Sequence, residues 1–432
     1  MRNTDRWETS SLVDDMSSSA TPRVLFCTDT YPPQMNGVSV VTALSVAGLR
    51  ERGWQCAVIA PRYPASTVNA FTDVPATDAL DRQLTSIPSL PFPLYPDIRL
   101  AAPAWRTVAR TIRDFRPHLV HCETEFTIGR LGQIAAARAG IPFTTSYHTD
   151  FSRYTAAYGV PRLRSMVSGY LGRFHRRAVR TYTPSEPARQ DLLAMGVRDV
   201  EVWGRGVDST LYAPSKRSTA LRDAYGFGKA FTFVHVGRLA AEKGVERIVD
   251  AFRMASQGAP DGTMHLVIAG TGPCESALRA RAPRHVTFLG HLDRKSFLPK
   301  LYASGDAFVF SSLTETLGLV VLEAMASGLP VIATPAGGVA DHLRDGINGI
   351  AYPPADVHAL AKAMLRLVFD RPLAARLGRG ARITAKALTW ASQLDQLDQS
   401  YRTLCRWRPL SRALIPAPLS APTYPGHQIV GM

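Results

Sequence analysis

A chain of 432 residues with 46% apolar content can bury the cores of two domains. No apolar run approaches the ~20 residues of a membrane-spanning helix, which sets helical integral membrane proteins aside. The formal net charge of +15 calls for an anionic partner. Aromatic residues do not interleave with the basic ones and no nucleic-acid-binding module stands out, so nucleotide substrates and anionic lipid lead and no nucleic acid is expected.

Residues 1–22 are polar and Ser-rich without an apolar h-region, and read as a disordered lead-in rather than a signal peptide. The five cysteines (Cys27, Cys56, Cys122, Cys274, Cys405) show no metal-ligand spacing and read as buried thiols of a reducing, cytoplasmic compartment. Val24 to Cys27 has strand character. Two prolines and Asn36-Gly37 then make a tight loop before an apolar helix over Val38 to Leu49, and Gly37 at its mouth lets a phosphate approach the backbone. Cys56 to Pro61 is a second strand, and residues 62–102 read as a strand pair with a long surface loop. Trp105 to Phe115 is amphipathic, with Val108 and Ile112 on one face and Arg106, Arg110 and Arg113 on the other. Strands over Leu119 to Cys122 and Pro142 to Tyr147 flank a helix over Gly129 to Ala139, and this βαβα rhythm predicts a parallel, doubly wound sheet.

His148, Thr149 and Asp150 follow the last of these strands at its carboxyl end. A helix over Pro161 to Arg180 comes next. Between Arg99 and Gln190 stand fifteen arginines against five acids, a face suited to phosphates rather than an ordinary solvated one. Thr181 to Ser185 and Val200 to Val202 close the first half, and Arg205 leads into a polar hinge. The rhythm restarts with strands at Phe231 to Val236, Leu266 to Ala269, Val286 to Leu289, Ala307 to Phe310 and Val331 to Ala333. Helices over Asp356 to Leu377 and Ile383 to Cys405 end the folded part.

Two segments carry chemistry. Gly237 to Gly244 (GRLAAEKG) places Arg238 and Lys243 in a loop at a strand's carboxyl end, where a guanidinium fork and a movable ammonium can grip a diphosphate. After Phe310, Ser311, Ser312 and Thr314 offer N-cap oxygens to a helix from Leu319 to Met325. Its first N–H groups point into the same crevice. Glu315 and Glu323 stand in an E-x7-E spacing; a single glutamate beside a helix start is ordinarily only a dipole partner. Two helical turns separate them by ~12 Å at 1.5 Å per residue, too far apart for the carboxyl pair of a glycoside hydrolase. No Asp-x-Asp occurs in the sequence, so neither a divalent metal nor another cofactor is expected.

The E-x7-E, the EAMASGLPVIAT that follows, the later GG…DG.NG and the GR…EKG loop closely resemble the donor site of retaining nucleotide-sugar glycosyltransferases of the GT-B fold, family four, group 1 type. The opening TDTYPPQMNGVSVV, the YHTDF loop and the VWGRGVD junction are similar to bacterial GDP-mannose-dependent α-mannosyltransferases and to sulfoquinovosyl transferases. The resemblance implies an α/β architecture of two doubly wound Rossmann-like domains facing across a cleft. Residues 23–208 would form the acceptor domain and 209–385 the donor domain. Residues 386–407 would form a helix crossing back to the first domain, and 408–432 a Pro-rich tail.

By the same resemblance Arg238 and Lys243 neutralise the leaving diphosphate, while Glu315 and the N–H groups of Thr316, Leu317, Gly318 and Leu319 meet sugar and phosphate. Glu323 takes the ribose hydroxyls; Gly270, His291, Leu292 and Lys295 line the base; Gly37 and Arg205 face the donor. His148 joins Glu315, Arg238 and Lys243 at the reaction centre, and Tyr31, Asn36 and Asp150 lie on the acceptor side. The family usually carries an aromatic where this chain has Leu317. Retention is attributed to front-face attack, with the departing phosphate oxygen taking the acceptor proton. The implied partners are a nucleotide sugar, with GDP-mannose first and a UDP-sugar as the alternative, a lipid-linked or glycan acceptor, and the anionic inner face of the cell membrane. A nucleotide-sugar epimerase and a non-catalytic carbohydrate-binding protein would use the same scaffold.

Overall fold

The computed structural model describes residues 21–34, 36–64, 83–92, 95–148, 164–204, 206–315 and 317–406. Asp150, Arg205, Thr316, residues 1–20 of the lead-in and the tail from 408 lie outside the described residues.

Fifteen strands fall into two parallel sheets and one hairpin. The N-terminal sheet collects β1 (Arg23–Cys27), β2 (Gln55–Pro61), β3 (Leu84–Ile87), β6 (Leu119–Cys122), β7 (Phe143–Ser146), β8 (Arg180–Thr183) and β9 (Val200–Val202) in the order β3-β2-β1-β6-β7-β8-β9. The C-terminal sheet collects β10 (Phe231–Val236), β11 (Met264–Ala269), β12 (Val286–Gly290), β13 (Ala307–Phe310), β14 (Val331–Ala333) and β15 (Gly349–Ala351) in the order β12-β11-β10-β13-β14-β15. The antiparallel pair β4 (Ser89–Phe92) and β5 (Tyr95–Ala101) supplies the strand pair expected within 62–102.

The strands read as unbroken apolar runs because helices cover both faces of each sheet, leaving β1, β6, β10, β11 and β13 almost wholly buried. In each sheet the chain winds outward from the first strand and then restarts on its other side. The strand order therefore reverses between β1 and β6, and again between β10 and β13. Ligands of such sheets bind outside the carboxyl ends at that reversal. The whole fold thus presents two crevices, one per domain.

The chain end departs from the two closing helices expected. Three helices form: Val357–Phe369, Arg371–Lys386 and Trp390–Arg406. Asp370 ends the first and its carboxylate caps the second, accepting from the Leu373 N–H at 2.9 Å, with Pro372 in the first turn.

The third helix leaves the C-terminal domain. A bridge between Val207 and Thr389 brings the two interdomain segments together. The helix then packs Leu397, Tyr401 and Leu404 into the N-terminal core beside Trp54, Tyr182 and Trp203. Asp398 accepts from the Trp54 indole at 2.6 Å, and the Trp203 indole donates to the Gln393 carbonyl at 2.6 Å. Gly206 has no room for a side chain, since a Cβ would stand 2.4 Å from the Trp390 ring. Leu397 is fully buried in this seam. Leu397→Ala is therefore expected to cost about 2–5 kcal/mol, read as a lowered thermal midpoint; an unchanged midpoint would show that the helix docks without holding the domain.

Candidate active site

At the carboxyl edge of the C-terminal sheet the loops are knitted to one another by backbone. Gly237 donates to the Ala269 carbonyl, Leu239 to Thr271 and Gly270 to Gly290, at 2.7–3.0 Å. The contact is so close that a Cβ on Gly270, whose φ is +130°, would fall 1.9 Å from the Gly237 carbonyl. Across the strand reversal, Ser311 donates to the carbonyls of Lys243 and Gly244, and Ser312 to that of Glu242. The expectation that Ser311 and Ser312 cap the helix after β13 is thus corrected: their hydroxyls tie the loop after β13 to the loop after β10.

What caps the helix Leu319–Ala326 is Gly318, in the left-handed conformation at φ +73°, with no side-chain bond to the first turn. An uncapped helix mouth keeps its N–H groups and partial positive charge for an outside anion. Beside it a short 3-10 turn, Ala241–Lys243, closed by Gly244, raises Lys243 into an ion pair with Glu315. Arg238 stands five residues earlier in the same loop, partly buried. His235 lies beneath, where burial drops it to about 4, so it adds no charge to the site. Lys243 and Glu315, predicted apart in sequence, are therefore brought into contact.

Glu323, on the second turn of the helix, is 3% exposed. Its carboxylate pairs with Arg294 and accepts from the Tyr302 hydroxyl at 3.2 Å. Arg294 was not legible as a site residue; Glu323 beside it raises its guanidinium further above the ordinary value, while burial, against the pull of Arg294, raises the Glu323 carboxyl. A buried lone carboxylate would cost several kcal/mol, which is why this one comes with an arginine. His291 and Lys295 are exposed on the rim, and Leu292 packs partly into the domain core.

The N-terminal crevice holds the other predicted residues. Asn36 is the N-cap of helix Gly37–Glu51, accepting from the Ser39 N–H while Ser39 accepts from its own. Gly37 is exposed, and a Cβ there meets nothing within 4 Å. Nothing in the protein's own packing demands glycine at that mouth. Tyr31, expected on the acceptor side, is 3% exposed and part of the core, where an acceptor cannot reach its ring.

His148 follows β7 and lies 3.1 Å from Glu123, a residue the sequence reading passed over. Asp29, also passed over, caps the helix Thr127–Ala139 from 99 positions away, accepting from the Ile128 N–H at 2.9 Å. Leu317 and Leu319 at the helix mouth of the C-terminal domain pack against the N-terminal core cluster that contains Tyr31 and Val41. The Glu186 N–H donates to Asp341 across the same seam at 2.9 Å. Among the described residues no group of His, Cys, Asp and Glu has the arrangement of a metal site.

Two doubly wound sheets, their carboxyl edges brought together and a helix crossing back, define the GT-B architecture. A family model described as glycosyl transferases group 1 matches residues 230–370, and one described as glycosyltransferase family 4 matches 35–211. A GDP-mannose-dependent alpha-mannosyltransferase of Mycobacterium tuberculosis is 34% identical over 88% of this chain and 97% of its own. A sulfoquinovosyl transferase of Arabidopsis thaliana is 30% identical over 74% of this chain and 63% of its own. The Anabaena protein HepE, solved with UDP and glucose, superposes with a TM-score of 0.70 at 21% identity, covering 88% of this chain and all of its own. The chain belongs to the family 4, group 1 glycosyltransferases, and it is a glycosyltransferase.

If Lys243 grips the donor diphosphate as the resemblance implies, Lys243→Ala removes a charge-assisted contact and leaves Glu315 unpaired. With roughly 1.5–3 kcal/mol at stake, the donor dissociation constant is expected to rise at least tenfold by titration calorimetry; unchanged affinity would remove Lys243 from the site.

Proposed function

We propose that this glycosyltransferase moves mannose from GDP-mannose to a hydroxyl of a lipid-linked acceptor, with retention at the anomeric carbon and without a metal. The observation that carries the reading is the junction of Lys243, Glu315 and the uncapped mouth of helix Leu319–Ala326 at one strand reversal. A pyrophosphate there meets an ammonium and helix N–H groups in fixed positions, the preorganised stabilisation worth several kcal/mol of barrier. The cation and the helix mouth do for the leaving group what a divalent ion would do elsewhere. His148, Glu315, Arg238 and Lys243 surround the transferred sugar, and Glu323 with Arg294 sits toward the ribose. The anomeric carbon–oxygen bond to phosphate breaks as the acceptor oxygen bonds the same face. The acceptor proton passes to the departing phosphate oxygen, so no side chain need act as nucleophile. Mannose and guanosine are favoured because relatives from Mycobacterium tuberculosis and Mycolicibacterium smegmatis, 34% and 33% identical, are GDP-mannose-dependent.

The acceptor side favours an anionic lipid surface at the inner face of the cell membrane. Between residues 23 and 208 every side-chain cation is an arginine, the type that holds phosphate with a planar fork. Helix Arg164–His175 exposes Met166 (63%) and Tyr170 (42%) beside the exposed Arg173 and Arg177. Burial, and then the charges of Arg177 and Arg173, lower the Arg130 guanidinium, as expected of neighbouring cations.

A panel of radiolabelled sugar nucleotides in EDTA tests the donor. Transfer or slow hydrolysis of GDP-mannose above all others is expected; preference for UDP-glucose would favour the UDP-sugar reading, an epimerised nucleotide sugar an epimerase, and activity restored only by magnesium a metal site. Binding to vesicles should rise with anionic lipid and fall with salt, because charges on the surface are screened within about 10 Å at 0.1 M. Equal binding to neutral vesicles would make the arginines a solvated face.

A further inference from the structure

Glu123 begins the loop after β6, on the strand beside the reversal, and its backbone N–H donates to the Cys27 carbonyl of β1 at 2.9 Å. Its side chain is 2% exposed, yet it stands between two imidazoles. One carboxylate oxygen lies 3.1 Å from Nε2 of His148 and accepts from the Thr42 hydroxyl at 3.0 Å; the other pairs with Nε2 of His121. Burial by itself would raise the Glu123 carboxyl, but the charges of His121 and then His148 outweigh it and hold the group well below the ordinary carboxylate range. An ionised carboxylate only accepts hydrogen bonds, so both Nε2 atoms facing it must carry a proton. His121 is itself fixed: its Nε2 is 2.7 Å from the Ser146 hydroxyl, and its Nδ1 is 2.9 Å from that of Thr144 and bonded to Tyr401 of the crossing helix. Helix Gly37–Glu51, β6, β7 and the crossing helix therefore all converge on one buried anion.

We propose that Glu123 is the positioning residue of the reaction centre: it clamps Nε2–H of His148 and so fixes the ring's tautomer and orientation. This rests on the reading that His148 faces the transferred sugar. The clamp holds the ring in one place relative to the sugar hydroxyls. His121 takes the second carboxylate oxygen, so the anion is anchored from behind and cannot follow a moving ring.

Nitrogen-15 NMR of histidine-labelled enzyme should show His148 as the Nε2–H tautomer in the wild type and as a mixture in Glu123→Gln, whose amide both donates and accepts. The kcat of E123Q should fall about tenfold or more with the donor KM within about twofold of wild type. E123Q combined with His148→Ala should be no slower than His148→Ala alone. An unchanged His148 tautomer in E123Q, or losses that multiply in the double variant, would overturn the proposal. Full activity of His148→Ala would sink instead the reading of His148 at the reaction centre, an outcome the tautomer measurement keeps separate. Should E123Q fail to fold, Glu123→Asp, which keeps the anion but withdraws it by one methylene, carries the same readouts.

Discussion

The salt bridge between Lys243 and Glu315 joins two loops that leave neighbouring strands on either side of the sheet's reversal. Parallel strands force this arrangement, because every loop that can meet a ligand must exit at the same edge. At that edge the proposed function sets a physical problem: the chain must keep a cation available for pyrophosphate without leaving a bare charge partly buried. Pairing Lys243 with Glu315 solves it at low energetic cost, since both side chains are mostly but not fully covered. The hydroxyls of Ser311 and Ser312 then hold the two loops at the spacing the pair requires. A phosphate arriving at the uncapped helix mouth can take over the ammonium while Glu315 turns to hydroxyl donors on the sugar.

The N-terminal domain meets the opposite problem, an anion surrounded by bases. Glu123 and the neighbouring Glu125 both point inward, the second toward His175 at 3.4 Å. A fully buried carboxylate is tolerable only with charge or several donors around it. The donors come from distant parts of the chain, and the crossing helix contributes through Tyr401. That helix is therefore more than a brace between domains: it closes the polar network behind His121 as well as the apolar seam around Leu397. Movement of one domain relative to the other would act on both.

Contiguity decided how much was legible in the sequence. The GR…EKG loop and the E-x7-E helix hold their chemistry within a few residues, and each follows an apolar strand, so type, order and edge could be read directly. The repeated strand–helix rhythm gave the parallel, doubly wound sheets, and the resemblance of those two segments gave the GT-B architecture. Glu123, Asp29 and Arg294 escaped because their partners are 25, 99 and 29 positions away and only the fold brings them together. The buried state of Tyr31 was hidden for the same reason, since its place in the core is set partly by a helix nearly four hundred residues later. One signal was present: two acids inside HCETEF, at the end of a short strand and next to His121, are costly to bury and so need bases nearby.

Glu323 shows how the two kinds of information combine. Spacing alone placed it facing the crevice, yet it is covered and engaged by Arg294 and Tyr302. An arginine can give up one hydrogen bond of its fork and keep another, so the pair can admit a ribose hydroxyl without exposing a lone charge. Tyr302, fully buried, holds the second oxygen, and the Tyr212 hydroxyl also bonds the carboxylate, so few directions remain from which it can accept. Geometry of that kind favours a diol held edge-on over a charged group, because an anion at the same place would meet Glu323 as well as Arg294. In the proposed function the negative end of the donor is thereby directed to the helix mouth and Lys243, and the sugar-bearing end is left to an acceptor approaching from the arginine-rich domain.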